Sequence, residues 1–82
     1  MTVMRFEIQA RRRTMCDGVV ADEVVLESSA DLGTARSVAR SLAERGFTSW
    51  VFRVEPGPRT APVYRMVETV RPPAGSATRR CP

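Results

Sequence analysis

The chain has 82 residues, a formal net charge of +4, thirteen arginines, and neither lysine nor histidine. This length is enough for one small domain, and domains of this size often need a disulfide, a metal or a second subunit for stability. Without histidine, most general acid–base arrangements are excluded, and two isolated cysteines argue against a zinc site. No glycine-rich phosphate loop is present either, so the sequence predicts a non-enzymatic protein without cofactor or metal.

The first half of the chain predicts two strands. Apolar and polar residues alternate over 3–11, which is typical of a half-buried strand. An Asp17-Gly18 pair predicts a turn over 12–18, and residues 19–27 are predicted to form a second strand. Residues 1–13 hold four arginines and one acid, whereas residues 17–31 hold five acids and no base. This charge distribution favours ion pairs across strands, either within the fold or between subunits.

An amphipathic helix is predicted to follow. Ser28, Ser29 and Asp31 are candidate N-caps, with Ser28 and Asp31 at capping-box spacing, and Gly46 is suited to end the helix in a left-handed conformation. One apolar stripe recurs at helical spacing. The stripe consists of Leu32, Ala35, Val38, Ala39 and Leu42.

The second half predicts two more strands. Residues 47–55 alternate, and we expect Trp50, Phe52 and Val54 to pack against the helix. A proline-rich connection over 56–62 leads to a fourth strand over 63–71, which Pro72-Pro73 ends. Residues 1–73 are therefore predicted to form a single domain, and residues 74–82 a flexible C-terminal tail.

The predicted fold class is α+β, a four-stranded antiparallel sheet with the order β-β-α-β-β along the chain. A right-handed crossover through the helix would give the spatial order 2-1-3-4, with the helix packed on one face. The alternative is a third strand parallel to the second. Four strands at ~4.8 Å spacing make a sheet about 19 Å wide, whereas one helix is about 10 Å across. The helix therefore cannot cover the sheet.

These dimensions predict an association surface, since an apolar centre rimmed by charges is typical of interfaces. The sequence accordingly predicts a small protein-interaction module that forms a homodimer or binds an unidentified protein partner. The expected contacts are on the open sheet face, on the proline-rich loop and on the exposed helix face. They are Arg5, Glu7, Val51, Arg53, Arg65 and Val67 on the sheet, Arg59 on the loop, and Arg36 and Arg40 on the helix.

Nucleic-acid binding is the alternative function. It would use Arg11-Arg12-Arg13, Arg36, Arg40 and the basic tail to contact phosphates. RNA-recognition sheets display aromatic residues on their open face. Here the aromatic residues of the first and third strands are expected to face the helix, so the sequence favours a protein partner.

The remaining expectations concern location, origin and the cysteines. No signal peptide and no long apolar run are visible, so we expect a cytoplasmic protein without a membrane span. The absence of lysine and asparagine is typical of a high-GC bacterium, or of a phage or plasmid living in one, and such a chain could be an inhibitor or accessory factor. Cys16 and Cys81 are expected to be free thiols, with a bridge between them as the alternative.

Overall fold

The computed structural model describes residues 5–73 and 78–80. Within this part, strands and helix follow one another as the sequence predicts, and a short fifth strand is added. The elements are β1 (Arg5–Cys16), β2 (Val19–Ser29), α1 (Leu32–Glu44), β3 (Thr48–Pro56), a 3-10 turn (Pro58–Thr60), β4 (Pro62–Val70) and β5 (Thr78–Arg80).

The four long strands form an antiparallel sheet with the spatial order β2-β1-β3-β4. The predicted fold class, including the strand order, is therefore confirmed. β2 and β3 run in the same direction but are separated by β1, so the alternative in which β3 pairs in parallel with β2 is wrong. β1 is a central strand of this sheet. It pairs with β2 over Phe6 to Cys16 and with β3 over Arg5 to Arg11.

The β1–β2 hairpin is longer than the sequence predicts. Its turn contains only Asp17 and Gly18, both with positive φ (50° and 79°), which is typical of a two-residue hairpin turn. Residues 12–16, predicted to belong to the turn, continue β1 instead. The opposite charges of the two strands meet across the hairpin, where Arg12 contacts Glu23 at 2.8 Å and Arg13 contacts Asp22 at 3.3 Å.

Helix α1 begins and ends at residues suited to those positions. Asp31 is the N-cap, and its carboxylate accepts a hydrogen bond from the Thr34 amide at 2.8 Å. Ser28 lies in β2 opposite Glu7, so the predicted capping box does not form. At the other end Gly46 has φ 92°, and the Phe47 amide donates to the Leu42 carbonyl at 2.9 Å. This closes a Schellman motif.

The core between α1 and the sheet is built on small residues. Ala35 and Ala39 of the helix are fully buried, and they lie against Ile8 and Val51 of the sheet. The buried Ser49 donates its hydroxyl to the Ala39 carbonyl at 3.3 Å. A helix that presents alanines lies close to the strands beneath it, which leaves room for Ser49 and Val51 but not for an indole ring.

The predicted orientation of β3 is therefore wrong at Trp50, Phe52 and Val54, whose partners on β1 lie on the side away from the helix. Trp50 and Phe52 point away from α1, while Phe47 and Val51 are fully buried in the core. Period-two alternation fits both phases of this strand, because Phe47 and Val51 are as apolar as their neighbours. The small alanines of the helix determine which set of alternate β3 residues faces α1, namely the set that contains Val51.

The C-terminal segment also differs from the prediction. Thr78–Arg80, within the predicted flexible tail, pair in parallel with Arg13–Met15 of β1 as strand β5.

Cys16 is in a disulfide, so the expected free thiol is wrong. Cys81, the only other cysteine of the sequence, lies outside the described residues. No helix in the described ranges is long and apolar enough to cross a membrane.

Candidate binding face of the sheet

The side of the sheet that faces away from α1 is called the open face here. Side chains alternate between the two sides of a strand, and Ile8 and Ala10 of β1 point toward the helix. The intervening residues of β1 therefore run along the middle of the open face. These residues, the central column, are Arg5, Glu7, Gln9, Arg11 and Arg13.

Apolar residues flank the central column on both sides. On the β2 side, the residues paired with the column include Val24 and Leu26, which are 59% and 63% exposed. On the β3 and β4 side lie the half-buried Trp50 and Phe52, followed by the exposed Tyr64 and Met66. Four of them are exposed, and no element of the described chain packs across this side of the sheet. They form an exposed apolar surface of the kind that marks interaction sites.

Two aromatic rings of this surface hold one another in place. Phe52 and Tyr64 lie on neighbouring strands with ring centroids 6.4 Å apart and planes at 82°. This edge-to-face arrangement is a favoured geometry for aromatic pairs and fixes both rings without a further partner. The rings therefore offer a preformed contact surface rather than one that must be ordered on binding.

Charges of both signs lie within the central column. Glu7 is flanked by Ser28 and Phe52, and Arg11 is flanked by Val24 and Thr48. Neither Glu7 nor Arg11 has an ion-pair partner among residues 5–73 and 78–80. Arg13, by contrast, contacts the Asp22 carboxylate at 3.3 Å. Within the described residues, Arg5, Glu7 and Arg11 of the central column are thus without an ion-pair partner, and Glu7 and Arg11 lie two positions either side of Gln9.

The sheet residues predicted as contacts lie on both sides of the sheet. Arg5 and Glu7 are on the open face as expected. Val51 is fully buried beneath α1, so its predicted position on the open face is wrong. Arg53 and Arg65, also expected on the open face, lie on the helix side.

Glu55 explains the position of these two arginines. Arg53 and Arg65 are opposite one another on β3 and β4, and both contact the Glu55 carboxylate, at 2.9 and 3.1 Å. Val67 lies at the irregularity where the β3–β4 register shifts, and it is 39% exposed. Of the six sheet residues that the sequence proposes, three therefore lie away from the open face.

The loop and helix residues of the prediction are also separate from the open face. Arg36 extends from α1 to Glu68 of β4, with its Nε 2.9 Å from the carboxylate. Arg40 is exposed on the outer surface of the helix. Arg59 is exposed in the 3-10 turn with φ 59°, at the connection between β3 and β4. The predicted contact residues do not form one continuous surface.

The three-arginine run proposed for nucleic-acid binding is divided between the two sides of the sheet. Arg11 and Arg13 lie on the open face, and all three arginines border one depression together with Trp50. Arg12 points to the helix side, where its guanidinium stacks on the Phe47 ring. Arg12 is thus engaged by Phe47 and Glu23, whereas Arg11 and Arg13 share the open face.

Several apolar residues of the open face are absent from the predicted contact set. They include Val24, Leu26, Trp50, Phe52, Tyr64 and Met66. The signal that could have found them is the alanine stripe of α1, which requires small partners beneath the helix and so turns Trp50 outward.

Within the described residues no group of three or more acids or cysteines could hold a metal ion.

Comparisons with known protein families, with curated proteins and with solved structures find no match to this chain.

Proposed function

We propose that this chain is a small, non-enzymatic protein-interaction module that binds its partner through the open face. The observation that carries the proposal is the uncovered apolar surface formed by Leu26, Trp50, Phe52, Tyr64 and Met66 on a sheet whose other side is already packed against α1. Contact with a partner would remove this surface from water, and apolar burial is worth about 25 cal/mol per Å².

The composition of the face fits a protein interface. Aromatic residues and arginine are enriched at the positions that dominate binding energy, and Trp50, Tyr64 and Arg11 are of these types. The face also lies on rigid strands rather than loops, so little side-chain and backbone freedom is lost on binding. Such a module acts by occupying a surface of another protein chain, as an inhibitor or accessory factor does.

Disulfides are rare in reducing compartments and persist in oxidising ones. Because Cys16 is in a disulfide, the proposal does not include the predicted cytoplasmic location.

Site-specific cross-linking tests the proposal. A photo-reactive amino acid at Met66 on the open face should capture the partner when the protein is purified from its native host under nuclease treatment. The same group at Ser37, which is exposed on α1, is the matched control. Capture at Ser37 but not at Met66 would place the binding surface on the helix and overturn the proposal.

A second candidate function is binding of single-stranded nucleic acid. The observation in its favour is that Trp50, Phe52 and Tyr64 are on the open face, beside Arg5 and Arg11, rather than under the helix. Aromatic rings beside arginines form stacking platforms for unpaired bases. Glu7, in the centre of the face, opposes a polyanion, which is why a protein partner is preferred.

The single tryptophan of the chain provides the test of this second candidate. Stacking of a base on Trp50 quenches its fluorescence, so titration with a single-stranded oligonucleotide at low salt gives a direct signal. If nucleic acid is the partner, Arg11→Ser should weaken the binding and Glu7→Gln should strengthen it. An unchanged Trp50 signal at low salt counts against this function.

A further inference from the structure

We infer that the partner of the open face is a second copy of this chain, in a two-fold symmetric dimer whose axis passes over Gln9. This inference rests on the proposed function and names the partner of the same surface. It places the open faces of two copies against one another, with the two β1 strands antiparallel.

The symmetry fixes which residues meet. A two-fold axis that lies between the sheets and runs across the strands keeps each strand above its counterpart and reverses its direction. Positions equally distant from Gln9 on either side then face one another. Arg11 faces the partner's Glu7, and Glu7 faces the partner's Arg11.

These two residues lack compensation in one chain. Glu7 and Arg11 are four residue steps apart along the strand, which is about 13 Å, so they do not pair with one another within a copy. Neither has an ion-pair partner within the described ranges. The dimer supplies each with an opposite charge, and symmetry provides the pair twice. Complementary charges of this kind set the register of an interface.

Apolar residues lie along the axis itself. Leu26 and Trp50 flank Gln9 on β2 and β3, so each would meet its own copy at the centre of the interface. The Leu26 side chain is among the most exposed large apolar groups of the chain, at 63%. This arrangement gives an apolar centre with ion pairs two positions to either side, as in the anatomy of protein interfaces.

The area is sufficient for a specific dimer. The open face is about 19 Å wide across four strands and about 30 Å long over the central column. Both copies together would therefore bury roughly 1,100 Å², which passes the approximate lower limit of 1,000 Å² for a specific interface.

The charges distinguish this arrangement from the other face-to-face dimer. An axis parallel to the strands would place Glu7 against the partner's Glu7 and Arg11 against the partner's Arg11, which is repulsive on both counts. In the antiparallel arrangement, Arg13 faces the partner's Arg5. The Asp22 carboxylate, 3.3 Å from Arg13, offsets this contact.

Charge exchange tests the inference, with the association state of the full chain measured by sedimentation equilibrium. The wild type should be a dimer at tens of micromolar. Glu7→Arg and Arg11→Glu should each raise the dimer dissociation constant at least tenfold, because each places two like-charged pairs in the interface. The double variant restores opposite charges and should return the constant to within about threefold of wild type.

Matched controls exclude effects of net charge. Glu27→Arg on the helix side of β2 changes the net charge as Glu7→Arg does, and Arg40→Glu on α1 changes it as Arg11→Glu does. Both controls should dimerise as the wild type does. Circular dichroism confirms that each variant is folded.

The outcomes separate this inference from the proposed function. A monomeric wild type, or a double variant as weak as the singles, overturns the two-fold dimer. If Met66 then still cross-links to a different protein, the proposed function stands without the dimer. If oligonucleotide quenches Trp50 instead, nucleic acid occupies the face and both proposals are wrong.

Discussion

The guanidinium of Arg12 lies 4.5 Å from the centre of the Phe47 ring. Its two terminal nitrogens also donate to the Glu23 carboxylate and to the Arg45 carbonyl, each at 2.8 Å. Phe47 is fully buried at the point where α1 ends and β3 begins. One side chain from the middle of β1 therefore connects β2, the end of the helix and the start of the third strand.

Replacing Arg12 with alanine should lower the free energy of unfolding by about 2 kcal/mol. The variant loses a stacking contact, a two-oxygen ion pair and a hydrogen bond to a helix carbonyl, and such contributions are about 0.5–2 kcal/mol each and not additive. Urea denaturation followed by circular dichroism measures the change. Arg13→Ala is the control, since that side chain is 66% exposed and should cost little. Equal losses at the two positions would contradict the role given to Arg12.

Val51→Ala should destabilise the protein by about 2 kcal/mol, because it leaves a cavity beneath α1. Val67→Ala deletes the same atoms from a side chain that is 39% exposed, and should change stability by less than about 0.5 kcal/mol. The sequence alone places both valines on the open face. Denaturation of the two variants at one protein concentration therefore tests which way β3 faces.

Asp31→Ala should cost about 1 kcal/mol, because the Thr34 amide loses its acceptor at the start of the helix. Asp31→Asn should retain most of the stability, since asparagine caps helices about as well. Ser28→Ala is the control and should have little effect, because Ser28 lies in β2 rather than at the cap. A larger loss for Ser28→Ala than for Asp31→Ala would favour the capping box after all.

Gly57→Ala should destabilise the β3–β4 connection by about 2 kcal/mol or more, as overpacking does. A methyl group there would lie 2.2 Å from the Ala61 carbonyl oxygen, although the backbone angle of Gly57 suits any residue. Gly18→Ala meets no atom within 4 Å and carries only the strain of its positive φ, about 1 kcal/mol. Thermal unfolding of both variants gives the order of their effects. A more stable Gly57→Ala would show that this loop relaxes freely.

The strand order was predictable because each element has a strong local signal. The Asp17-Gly18 turn, the glycine after α1 and the prolines after β3 divide the chain at positions where backbone chemistry leaves little choice. The antiparallel order then follows from the handedness of the crossover. These signals are local, so they do not depend on how the helix meets the sheet.

The composition of the open face was less predictable, because it depends on contacts between distant residues. Whether Trp50 or Val51 lies under α1 is decided by the small size of Ala35 and Ala39, which are more than ten positions earlier in the chain. The pairing of Arg53 and Arg65 with Glu55 likewise requires the β3–β4 register, which an irregularity shifts at Val51. The alternation of apolar and polar residues along one strand does not show which side of β3 faces the helix or how β3 is aligned with β4.

Strand β5 protects part of β1 from pairing with other chains. β3 pairs with β1 only as far as Arg11, and Arg13–Met15 then receive Thr78–Arg80 as their neighbour. Without that neighbour, the distal part of the hairpin would present unpaired amides and carbonyls along one side, which is a template for aggregation. A chain shortened after Pro73 should therefore keep its helix and four-stranded order and become prone to self-assembly into fibrils. Residues 78–80 thus cover a strand edge that would otherwise be open to pairing with another chain.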